Sequence, residues 1–440
     1  MEPSSEQGAS SLKVAIVGAG WAGCAAAVEA TRLGHDVTLF EASRSAGGRA
    51  RRVDMMQADS AFKLDNGQHI LIGAYAETLQ LMASLGVDLE ASFLRLPLTL
   101  KSANGDGLTF PDLPAPLDAL VGMLRATGWT WQDKLSLLKV SIRWRINQFR
   151  CAPQSSVTDV CSGVSPRIMA TLMEPLCVSA LNTPIERASG QVFLRVMRDA
   201  LFSGNGASNL LLPKLDLSAL MPDAALAWLE KSGAKIKLGV RAKAIAPQKG
   251  GWSIADAGGH TWDTFEGIVL ACPPGDAVRL VHDVALSDDA WLSRAVALQH
   301  EAIATVYAMS KGVRLSQPML TLSAGIQHPA QFVFDRGQLG GPAGLLAFVV
   351  SASTADRTTV TEQVRAQAAE QLNLHDLDMQ HTIVEKRATF ACSPGLERPG
   401  PHLAPGLLAC GDYVAGPYPA TLEGAVISGL HAARLIGSSA

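Results

Sequence analysis

The sequence lacks the features that mark a disulfide-bonded, metal-binding or membrane-spanning protein. Its seven cysteines are scattered without a Cys-x-x-Cys pair, which is typical of a reduced intracellular protein, so neither a disulfide framework nor a metal site is expected. No apolar run reaches the roughly 18 residues that a membrane span needs. The net charge of −3, from 37 basic and 40 acidic residues, gives no reason to expect a nucleic-acid partner. The polar, acidic segment Met1–Ser11 has no basic start typical of a secretory signal, so a cytoplasmic location is expected.

The most informative segment is an apolar run, Val14–Val17, followed at once by Gly18-x-Gly20-x-x-Gly23. The run predicts a buried strand. The first glycine permits a tight turn, the second admits a pyrophosphate, and the third lets a helix pack closely. The small residues after the glycines predict that helix. A second apolar run predicts another strand and ends at Glu41. An acid about 20 residues beyond the glycines can accept hydrogen bonds from a ribose. The segment therefore predicts a dinucleotide site, and an acid at this point disfavours a ribose 2′-phosphate.

Two polar segments follow. Residues 42–52 contain Gly47-Gly48 and four arginines. Because this loop comes directly after a pyrophosphate site, we interpret it as supplying amides and a guanidinium to the phosphates rather than as a solvated basic loop. Asp65-Asn66-Gly67-Gln68-His69 then precedes an apolar run. It fits either a turn before a secondary-structure element or the wall of an active site.

The region from Leu117 to Leu211 is predicted to be mainly helical. Between residues 129 and 150, apolar residues that include Trp129, Trp131, Leu135, Leu138, Ile142 and Ile146 are interleaved with Lys134, Lys139, Arg143, Arg145 and Arg150, which indicates a basic amphipathic segment. Such a face can dip into a membrane surface and admit a lipid, here on the inner face of the cytoplasmic membrane. The alternative is a helix that packs on the core of its own protein.

An α/β pattern returns after Leu211 and again near the end of the chain. A strand pair is predicted near 252–254 and 267–272, and Ile268–Ala271 has the composition of a fully buried parallel strand. Gly406–Asp412 predicts a strand running into a turn, with a helix after it. The fold is therefore predicted to be α/β and Rossmann-like but discontinuous. Residues 12–75, 206–274 and 386–437 would form the nucleotide-binding domain, and residues 76–205 and 275–385 an inserted α+β substrate-binding region.

This arrangement resembles the superfamily of flavin-containing amine oxidases and phytoene desaturases over almost the whole chain. The matching segments are the glycine motif with Glu41, Gly47–Arg49, Gly239-Val240, Ile268–Pro274, Gly411-Asp412 and Ala420–Ala425. The resemblance implies a two-domain flavoprotein whose cofactor is FAD.

The resemblance also implies the parts of FAD that individual residues hold. Glu41 would bind the adenosine ribose and Val240 the adenine. Asp412 would bind the ribityl-phosphate region, and the helix beginning near Leu422 would face the flavin pyrimidine, where reduced flavin carries negative charge. The residues implied to bind FAD are Gly18, Ala19, Gly20, Trp21, Ala22, Gly23, Glu41, Ala42, Arg44, Gly48, Arg49, Ala50, Gly67, Gln68, Val240, Gly411, Asp412, Leu422, Glu423 and Ala425.

Longer segments are similar to a narrower family, the squalene-associated FAD-dependent hydroxysqualene dehydroxylases. These segments are Leu64–His69, Ile72–Tyr75, Glu77–Leu79, Glu174–Cys177, Ala180–Pro184 and Cys392–Arg398. The similarity implies reductive removal of the allylic hydroxyl of hydroxysqualene, giving squalene and water in squalene and hopanoid biosynthesis. Two alternatives stay open. One is a polyprenyl or carotenoid desaturase of the same superfamily, and the other is a flavin-free protein that binds prenyl lipids.

Loss of a hydroxyl requires a general acid. Under this reading His69 is predicted to be that acid, with Asp65 orienting it and Glu174 as the rival candidate. The alternative is that Asp65 and His69 only hold the loop beneath the flavin. Since no second strand is followed by Gly-x-Gly-x-x-Gly, the reductant is expected to come from outside the chain or to bind transiently.

Overall fold

The apolar run that precedes the glycine motif is a central strand of a six-stranded sheet in the computed structural model, which describes residues 11–57 and 60–438. The strands in chain order are β1 (Lys13–Val17), β2 (Asp36–Glu41), β3 (Arg52–Gln57), β4 (Ser60–Asp65), β5 (Leu71–Ile72), β6 (Phe93–Leu96), β7 (Thr99–Lys101), β8 (Gly107–Thr109), β9 (Leu210–Pro213), β10 (Lys235–Leu238), β11 (Ala242–Gln248), β12 (Gly251–Asp256), β13 (Thr261–Phe265), β14 (Gly267–Leu270), β15 (His300–Met309), β16 (Met319–Thr321), β17 (Phe332–Asp335), β18 (Leu345–Ser351), β19 (Asp378–Phe390), β20 (His402–Ala404) and β21 (Leu407–Ala409).

Helices connect and cover these strands. In chain order they are α1 (Trp21–Arg32), α2 (Ala76–Ser84), α3 (Leu89–Ser92), α4 (Leu117–Arg125), α5 (Trp131–Ile146), α6 (Val157–Val160), α7 (Pro166–Ile168), α8 (Glu174–Leu181), α9 (Gly190–Phe202), α10 (Leu217–Leu220), α11 (Pro222–Lys231), α12 (Pro274–Leu280), α13 (Ala290–Val296), α14 (Arg357–Leu372) and α15 (Leu422–Ser438). A π-helical turn, Met169–Met173, joins α7 to α8, and a 3₁₀ turn spans Arg336–Leu339. None of the helices in the described ranges is long and apolar enough to cross a membrane.

The six-stranded sheet has the order β10-β2-β1-β14-β21-β20, with the first five strands parallel and β20 antiparallel to β21. Val14 lies opposite Val37 on one side and Gly267 on the other. All of β14 is buried, because strands in the middle of a parallel sheet are covered on both faces. The predicted strand–helix–strand unit and the buried parallel strand at Ile268 are confirmed.

Helix α1 explains why the sequence after the glycine motif is rich in alanine. Every residue from Trp21 to Val28 is buried, and the helix packs against both α15 and α11. Small side chains let three helices and a sheet approach closely at native packing density. The last described helix is thereby packed against the first, and the turn after β21 lies at the same edge of the sheet as the glycine turn after β1, with β14 between the two strands.

A second, antiparallel sheet has the order β16-β17-β18-β15-β19. Side chains alternate along β15, as they must in any strand. Ala304 and Val306 belong to a core shared with α14. Ile303 and Tyr307 belong to the main core on the opposite side. One face of this sheet is therefore covered by α14, and the other faces the interior, where Ile303 lines a cavity.

Two features differ from the sequence prediction. The antiparallel pair β3–β4 was not predicted, and Arg52, assigned to the arginine loop, lies opposite Asp65 in it. The strands predicted as a pair near 252–254 and 267–272 lie in different sheets. Strand β12 pairs with β11 and β13, whereas β14 lies between β1 and β21. The alternating burial of β12 suits a sheet with one exposed face, and the wholly apolar β14 suits the centre of a parallel sheet.

The division of the chain into two regions stays a prediction. Residues 117–202 carry α4 to α9, in agreement with the predicted helical region. Strand β19 continues from Asp378 to Phe390 without a break, across the boundary placed between residues 385 and 386.

Candidate functional site

One cavity of about 980 Å³ extends from the glycine turn after β1 to the helices between residues 117 and 202. Its first end is lined by backbone and polar groups of the glycine motif, the arginine loop and the turn after β21. Its other end is apolar. The buried apolar residues there include Leu100, Leu108, Phe110, Met123, Leu137, Trp144, Phe149, Leu172, Met173, Met197, Phe332 and Phe334.

The glycine turn is built for close backbone approach. A Cβ atom at Gly23 would collide with the carbonyl oxygen of Gly18, so the first turn of α1 can pack there only as glycine. At Gly20 a Cβ would meet only the Cα of Gly48, at 4.0 Å, and the position opens into the cavity. The N-terminus of α1, with its partial positive charge and free amide groups, thus faces a space that suits a phosphate.

Glu41 lies beside this turn at the end of β2. Its Oε2 accepts a hydrogen bond from the Ala19 amide at 2.8 Å, and its Oε1 accepts one from the Ser43 amide at 2.7 Å. An ionised carboxylate has lone pairs left for further donors, such as the hydroxyls of a ribose. Val240 is adjacent, since its amide donates to the carbonyl oxygen of Glu41 at 2.9 Å. Both residues line the cavity.

Arg49 and Asp412 join the arginine loop to the turn after β21. The Nη2 of Arg49 lies 2.6 Å from Oδ1 of Asp412, and its Nη1 donates to the carbonyl oxygen of Ala388 at 2.7 Å. Asp412 is buried, and both charged groups line the cavity. The two motifs that the sequence separates by more than three hundred residues therefore form one wall.

The residues at this end fit an adenine dinucleotide of the FAD type. Besides the open Gly20 position and the Glu41 carboxylate, the phenolic oxygen of Tyr413 is buried in the wall without a hydrogen-bond partner among the described residues. Leaving a buried hydroxyl unpaired is costly. An acceptor atom of a bound group would pair with it, and the positive end of α1 would balance a pyrophosphate.

Most residues predicted to bind the cofactor line the cavity. They are Gly18, Gly20, Trp21, Ala22, Glu41, Ala42, Gly48, Arg49, Ala50, Gly67, Gln68, Val240, Gly411, Asp412, Leu422 and Ala425. Ala19 and Gly23 lie behind the glycine turn, where they support it. The side chain of Arg44 is exposed and lies outside the lining.

Glu423 is a correction to the predicted set. Its carboxylate is buried and accepts hydrogen bonds from the amides of Glu77 and Thr78, at 3.1 and 2.9 Å, and from the Thr78 hydroxyl at 2.6 Å. These amides are in the first turn of α2, where they have no partner within the helix. Glu423 therefore caps α2 and does not face the cavity.

Asp65 is a second correction. It is buried at the end of β4, and its Oδ1 accepts a hydrogen bond from the Leu217 amide at 2.8 Å, at the start of α10. Burial raises the pKa of Asp65 to about 6. In the described part of the chain Asp65 and His69 share no hydrogen bond. The prediction that Asp65 orients His69 is wrong, because the carboxylate is used to hold the start of a neighbouring helix.

His69 is held by its own loop and lines the cavity. Its Nδ1 lies 2.7 Å from the carbonyl oxygen of Gly67. A carbonyl oxygen only accepts, so Nδ1 carries the hydrogen and Nε2 is the free nitrogen of the neutral ring. Burial lowers the pKa of His69, the Gly67 hydrogen bond partly offsets this, and nearby Arg49 lowers it further. The imidazole is thus mostly neutral near pH 7, and it lines the cavity.

Two residues outside the loop that carries His69 hold it in place by hydrogen bonds. The hydroxyl of Tyr307 on β15 donates to the carbonyl oxygen of Asp65 at 2.9 Å. The guanidinium of Arg336, which is buried, donates to Oε1 of Gln68 at 3.2 Å. These contacts fix the backbone on which the imidazole stands.

Glu174 does not join this group. It is the first residue of α8 and its side chain is largely exposed; neighbours such as Met173 and Leu176 line the cavity, but Glu174 does not. Partial burial and the like charge of Glu186 raise its pKa. The structure brings His69, but not Glu174, to the wall of the cavity.

Two polar residues of the apolar end were missed from the sequence. The hydroxyl of Tyr418 donates to Oδ2 of Asp199 at 2.9 Å, and both residues line the cavity. The only sequence signal is an aspartate on the apolar side of α9, next to Met197 in that helix. Its partner, Tyr418, lies more than two hundred residues later in the chain and belongs to no recognisable sequence motif.

The apolar end opens to solvent between α4, α5 and the end of α9. Leu117, Leu120, Ile142 and Phe202 both line the cavity and have exposed side chains. We call these four residues the mouth. Further large apolar side chains are exposed on α4, on α5 and just before α4, namely Leu113, Leu124, Trp131, Leu135 and Ile146.

Comparison with known proteins supports both the fold and the cofactor. The chain is 27% identical to a hydroxysqualene dehydroxylase of Rhodopseudomonas palustris, over 97% of this chain and 98% of the relative. It is 25% identical to a hydroxysqualene dehydroxylase of Sinorhizobium fredii, over 96% and 97%. The crystal structure of an oxidoreductase from Methanosarcina mazei superposes with a TM-score of 0.71 at 17% identity, covering 96% of this chain and 99% of that one.

The similarity to hydroxysqualene dehydroxylases, stated above from short segments, is thereby confirmed over the full length of the chain. A family model described as flavin containing amine oxidoreductase matches residues 21–437. The predictions of an amine oxidase-like fold, an FAD cofactor and an FAD-dependent oxidoreductase are confirmed. The chain belongs to the family of flavin-containing amine oxidoreductases.

Proposed function

We propose that the protein removes the allylic hydroxyl of hydroxysqualene reductively, giving squalene and water. One observation carries the proposal. A single cavity contains both the cradle that fits FAD and an apolar chamber, and the imidazole of His69 lines this same cavity. The relatives from Rhodopseudomonas palustris and Sinorhizobium fredii, named for this activity, support the choice of substrate.

The chamber suits a long hydrocarbon. Its walls carry aromatic and aliphatic side chains from residues 98–202 and 303–349, among them Trp144, Phe149 and Phe334. A hydrocarbon gains roughly 25 cal/mol for each Å² of apolar surface removed from water. Burial of apolar surface stabilises any long isoprenoid in the chamber. The hydroxyl is therefore the feature that distinguishes the substrate from other isoprenoids.

The reaction breaks a carbon–oxygen bond and forms a carbon–hydrogen bond. Reduced FAD, when bound, supplies the hydride that replaces the hydroxyl. We assign the accompanying proton to Nε2 of His69, which passes it to the leaving oxygen, so that hydroxide departs as water. The apolar walls keep bulk water from the allylic carbon while it carries positive charge.

His69 can act in this way only in its protonated form. Because its pKa is lowered, the acid form is scarce at neutral pH, and the proton enters from solvent before each turnover. The fixed Gly67 hydrogen bond keeps Nε2 as the nitrogen that takes up and releases this proton. Arg336 and Tyr307, which fasten the loop, hold the imidazole in place.

We propose further that the mouth lies on the inner face of the cytoplasmic membrane. Leu117 and Ile142 of the mouth are 53% and 49% exposed, and Trp131 and Ile146, at the two ends of α5, are 73% and 74% exposed. Helix α5 also carries basic residues, and Nζ of Lys134 lies 5.3 Å from the ring centre of Trp131. An apolar surface with cations around it matches a membrane that contains anionic lipids. A substrate dissolved in the bilayer would reach the chamber without crossing water.

The decisive experiment is product analysis under nitrogen. Photoreduced protein mixed with hydroxysqualene should yield squalene in an amount close to that of the reduced FAD, and oxidised protein should yield none. Formation of new double bonds in a carotenoid-type lipid by the oxidised protein, with no squalene from the reduced protein, would identify a desaturase instead. Photoreduction also separates this step from the reductant, which we place outside the chain.

A further inference from the structure

A tyrosine–aspartate pair lies in the wall of the apolar chamber. Tyr418 Oη donates to Asp199 Oδ2 at 2.9 Å, and Asp199 Oδ1 accepts from Nε of Arg198 at 2.7 Å. Asp199 is buried, whereas the side chain of Arg198 is about half exposed at the outer side. Both members of the Tyr418–Asp199 pair line the cavity.

On the cavity side, apolar residues of α9 lie next to the pair in the chain, whereas the charges of Arg198, Arg195 and Glu423 act on it from outside the lining. Val196, Met197, Ala200 and Leu201 of the same helix also line the cavity. Within the described lining between residues 98 and 202, the only charged residues are Asp199 and Arg145, and Arg145 stacks on Phe202 of the mouth. Asp199 is therefore the only carboxylate on the helical side of the chamber in that range.

The pair is also close to the flavin end. Thr421, three residues after Tyr418, donates its hydroxyl to the Tyr418 carbonyl oxygen and accepts from the Gly424 amide in the first turn of α15. Thr421, Leu422 and Ala425 line the same cavity. Tyr418 thus connects the start of α15 with the apolar chamber.

A hydroxyl that enters an apolar chamber needs a hydrogen-bond partner, since burying it unpaired is costly. The proton of Tyr418 is already given to Asp199, so Tyr418 Oη presents a lone pair and can accept. Burial and the Asp199 hydrogen bond raise the pKa of Tyr418 to about 12. The phenol consequently stays protonated, and its direction of donation is fixed throughout the working range of pH.

We propose that Tyr418 accepts the hydrogen bond of the substrate hydroxyl, with Asp199 as the positioning residue that fixes the orientation of the phenol. This inference rests on the proposed function and adds the residue that recognises an alcohol on a long hydrocarbon. With its hydrogen engaged by Tyr418, the substrate oxygen keeps its lone pairs for the incoming proton. The product has no hydroxyl and cannot make this contact. It therefore binds more weakly than the substrate and is released more readily.

Binding to the oxidised holoenzyme tests the pair without turnover. The dissociation constants of hydroxysqualene and squalene are measured from the change in FAD absorbance. We expect wild-type protein to prefer hydroxysqualene, and Tyr418→Phe to weaken hydroxysqualene about 10-fold while leaving squalene unchanged. Tyr75→Phe is the matched control, because Tyr75 also lines the cavity. If Tyr75→Phe rather than Tyr418→Phe removes the preference, the assignment is wrong.

A chemical variant of the ligand gives a second, independent measurement on unmodified protein. The methyl ether of hydroxysqualene cannot donate to Tyr418, so it should bind wild-type protein about 10-fold more weakly than the alcohol. In Tyr418→Phe the alcohol and the ether should bind alike. Equal binding of the two by wild-type protein would overturn the inference even if the phenylalanine variant failed to load FAD.

Product analysis with the reduced wild-type protein runs beside these titrations. Squalene formation together with unchanged affinities in Tyr418→Phe would reject the role of Tyr418 and leave the proposed function standing. Absence of squalene from wild-type protein would reject the proposed function itself.

Discussion

Glu423 in the first turn of α15 accepts hydrogen bonds from both the amide and the hydroxyl of Thr78, at 2.9 and 2.6 Å. The contact links the last helix of the chain to the start of α2. Because α15 packs on α1 as well, this carboxylate helps to hold the nucleotide end of the cavity together.

Replacing Glu423 by alanine should therefore destabilise the protein. The change leaves the Glu77 and Thr78 amides and the Thr78 hydroxyl without their acceptor in a buried place. A loss of about 2–3 kcal/mol in the free energy of unfolding is expected. Urea unfolding of the FAD-loaded protein measures it, with Glu230→Ala on the exposed side of α11 as the control. A loss no larger than that of the control would contradict the capping role.

Asp65 predicts a dependence of stability on pH. Its pKa is raised from 3.8 to about 6 in the folded protein by burial. The fold thus favours the protonated form, so this contribution to stability is complete below about pH 4 and is lost as pH rises through about 6. A pKa difference of about 2 corresponds to roughly 3 kcal/mol.

Asp65→Asn removes the ionisation and keeps an oxygen that can accept from the Leu217 amide. The variant should unfold at higher urea concentration than wild type near neutral pH, by up to about 3 kcal/mol, and should match wild type near pH 4. The measurement is the difference in free energy of unfolding between the two proteins across that range. A difference that does not change with pH would show that Asp65 does not titrate as described.

Asp65 and Glu423 differ from the glycine motif in how far along the chain their partners lie, and this difference decides which features could be predicted from the sequence. The glycine turn, Glu41 and β2 form one local unit with a fixed spacing, so a pattern identifies them. Asp65 and Glu423 are equally polar, but their partners, Leu217 and Thr78, are distant in the chain. Nothing local distinguishes a carboxylate that caps a remote helix from one that faces a cofactor.

His69 and Tyr418 show the same limit of prediction from sequence at the part of the cavity where the reaction is proposed to occur. His69 was predicted from the density of polar groups around it, and the structure brings it to the cavity, yet its partner is Gly67 and not Asp65. In a turn, neighbouring side chains point in different directions, so adjacency in sequence does not establish contact. Tyr418 and Asp199 meet only after α9 packs beside the segment that precedes α15.

His69 predicts the dependence of the reaction rate on pH. If Nε2 delivers the proton, the rate requires the protonated ring. Because the pKa of His69 lies below the usual 6.5, the single-turnover rate of squalene formation should fall as pH rises through that lowered value. His69→Gln should lower the rate about 10²- to 10⁴-fold and flatten the pH profile. FAD content and anaerobic photoreduction serve as controls for an intact cofactor site, and an unchanged rate in this variant would exclude His69 as the acid.

The exposed apolar side chains of the mouth and of α5 predict that the protein binds a membrane surface through this region. Trp131 and Ile146, at the two ends of α5, are exposed but do not line the cavity. Trp131→Ser with Ile146→Ser removes apolar surface from the outer side alone. Each side chain is worth on the order of 1 kcal/mol or more when buried, so partition onto vesicles of phosphatidylglycerol and phosphatidylcholine should fall by about 10-fold or more.

The matched control is Ile326→Ser, since Ile326 is 90% exposed at a place remote in sequence from the mouth. It should leave vesicle binding unchanged. Binding of wild-type protein should also weaken with added salt and with loss of the anionic lipid, because α5 carries basic residues, of which Lys134 lies over the Trp131 ring. Equal loss of binding in Ile326→Ser and the double variant would mean that the mouth does not direct the contact. In that case the substrate would reach the chamber by way of a carrier or micelle, and squalene formation would be the same from detergent as from vesicles.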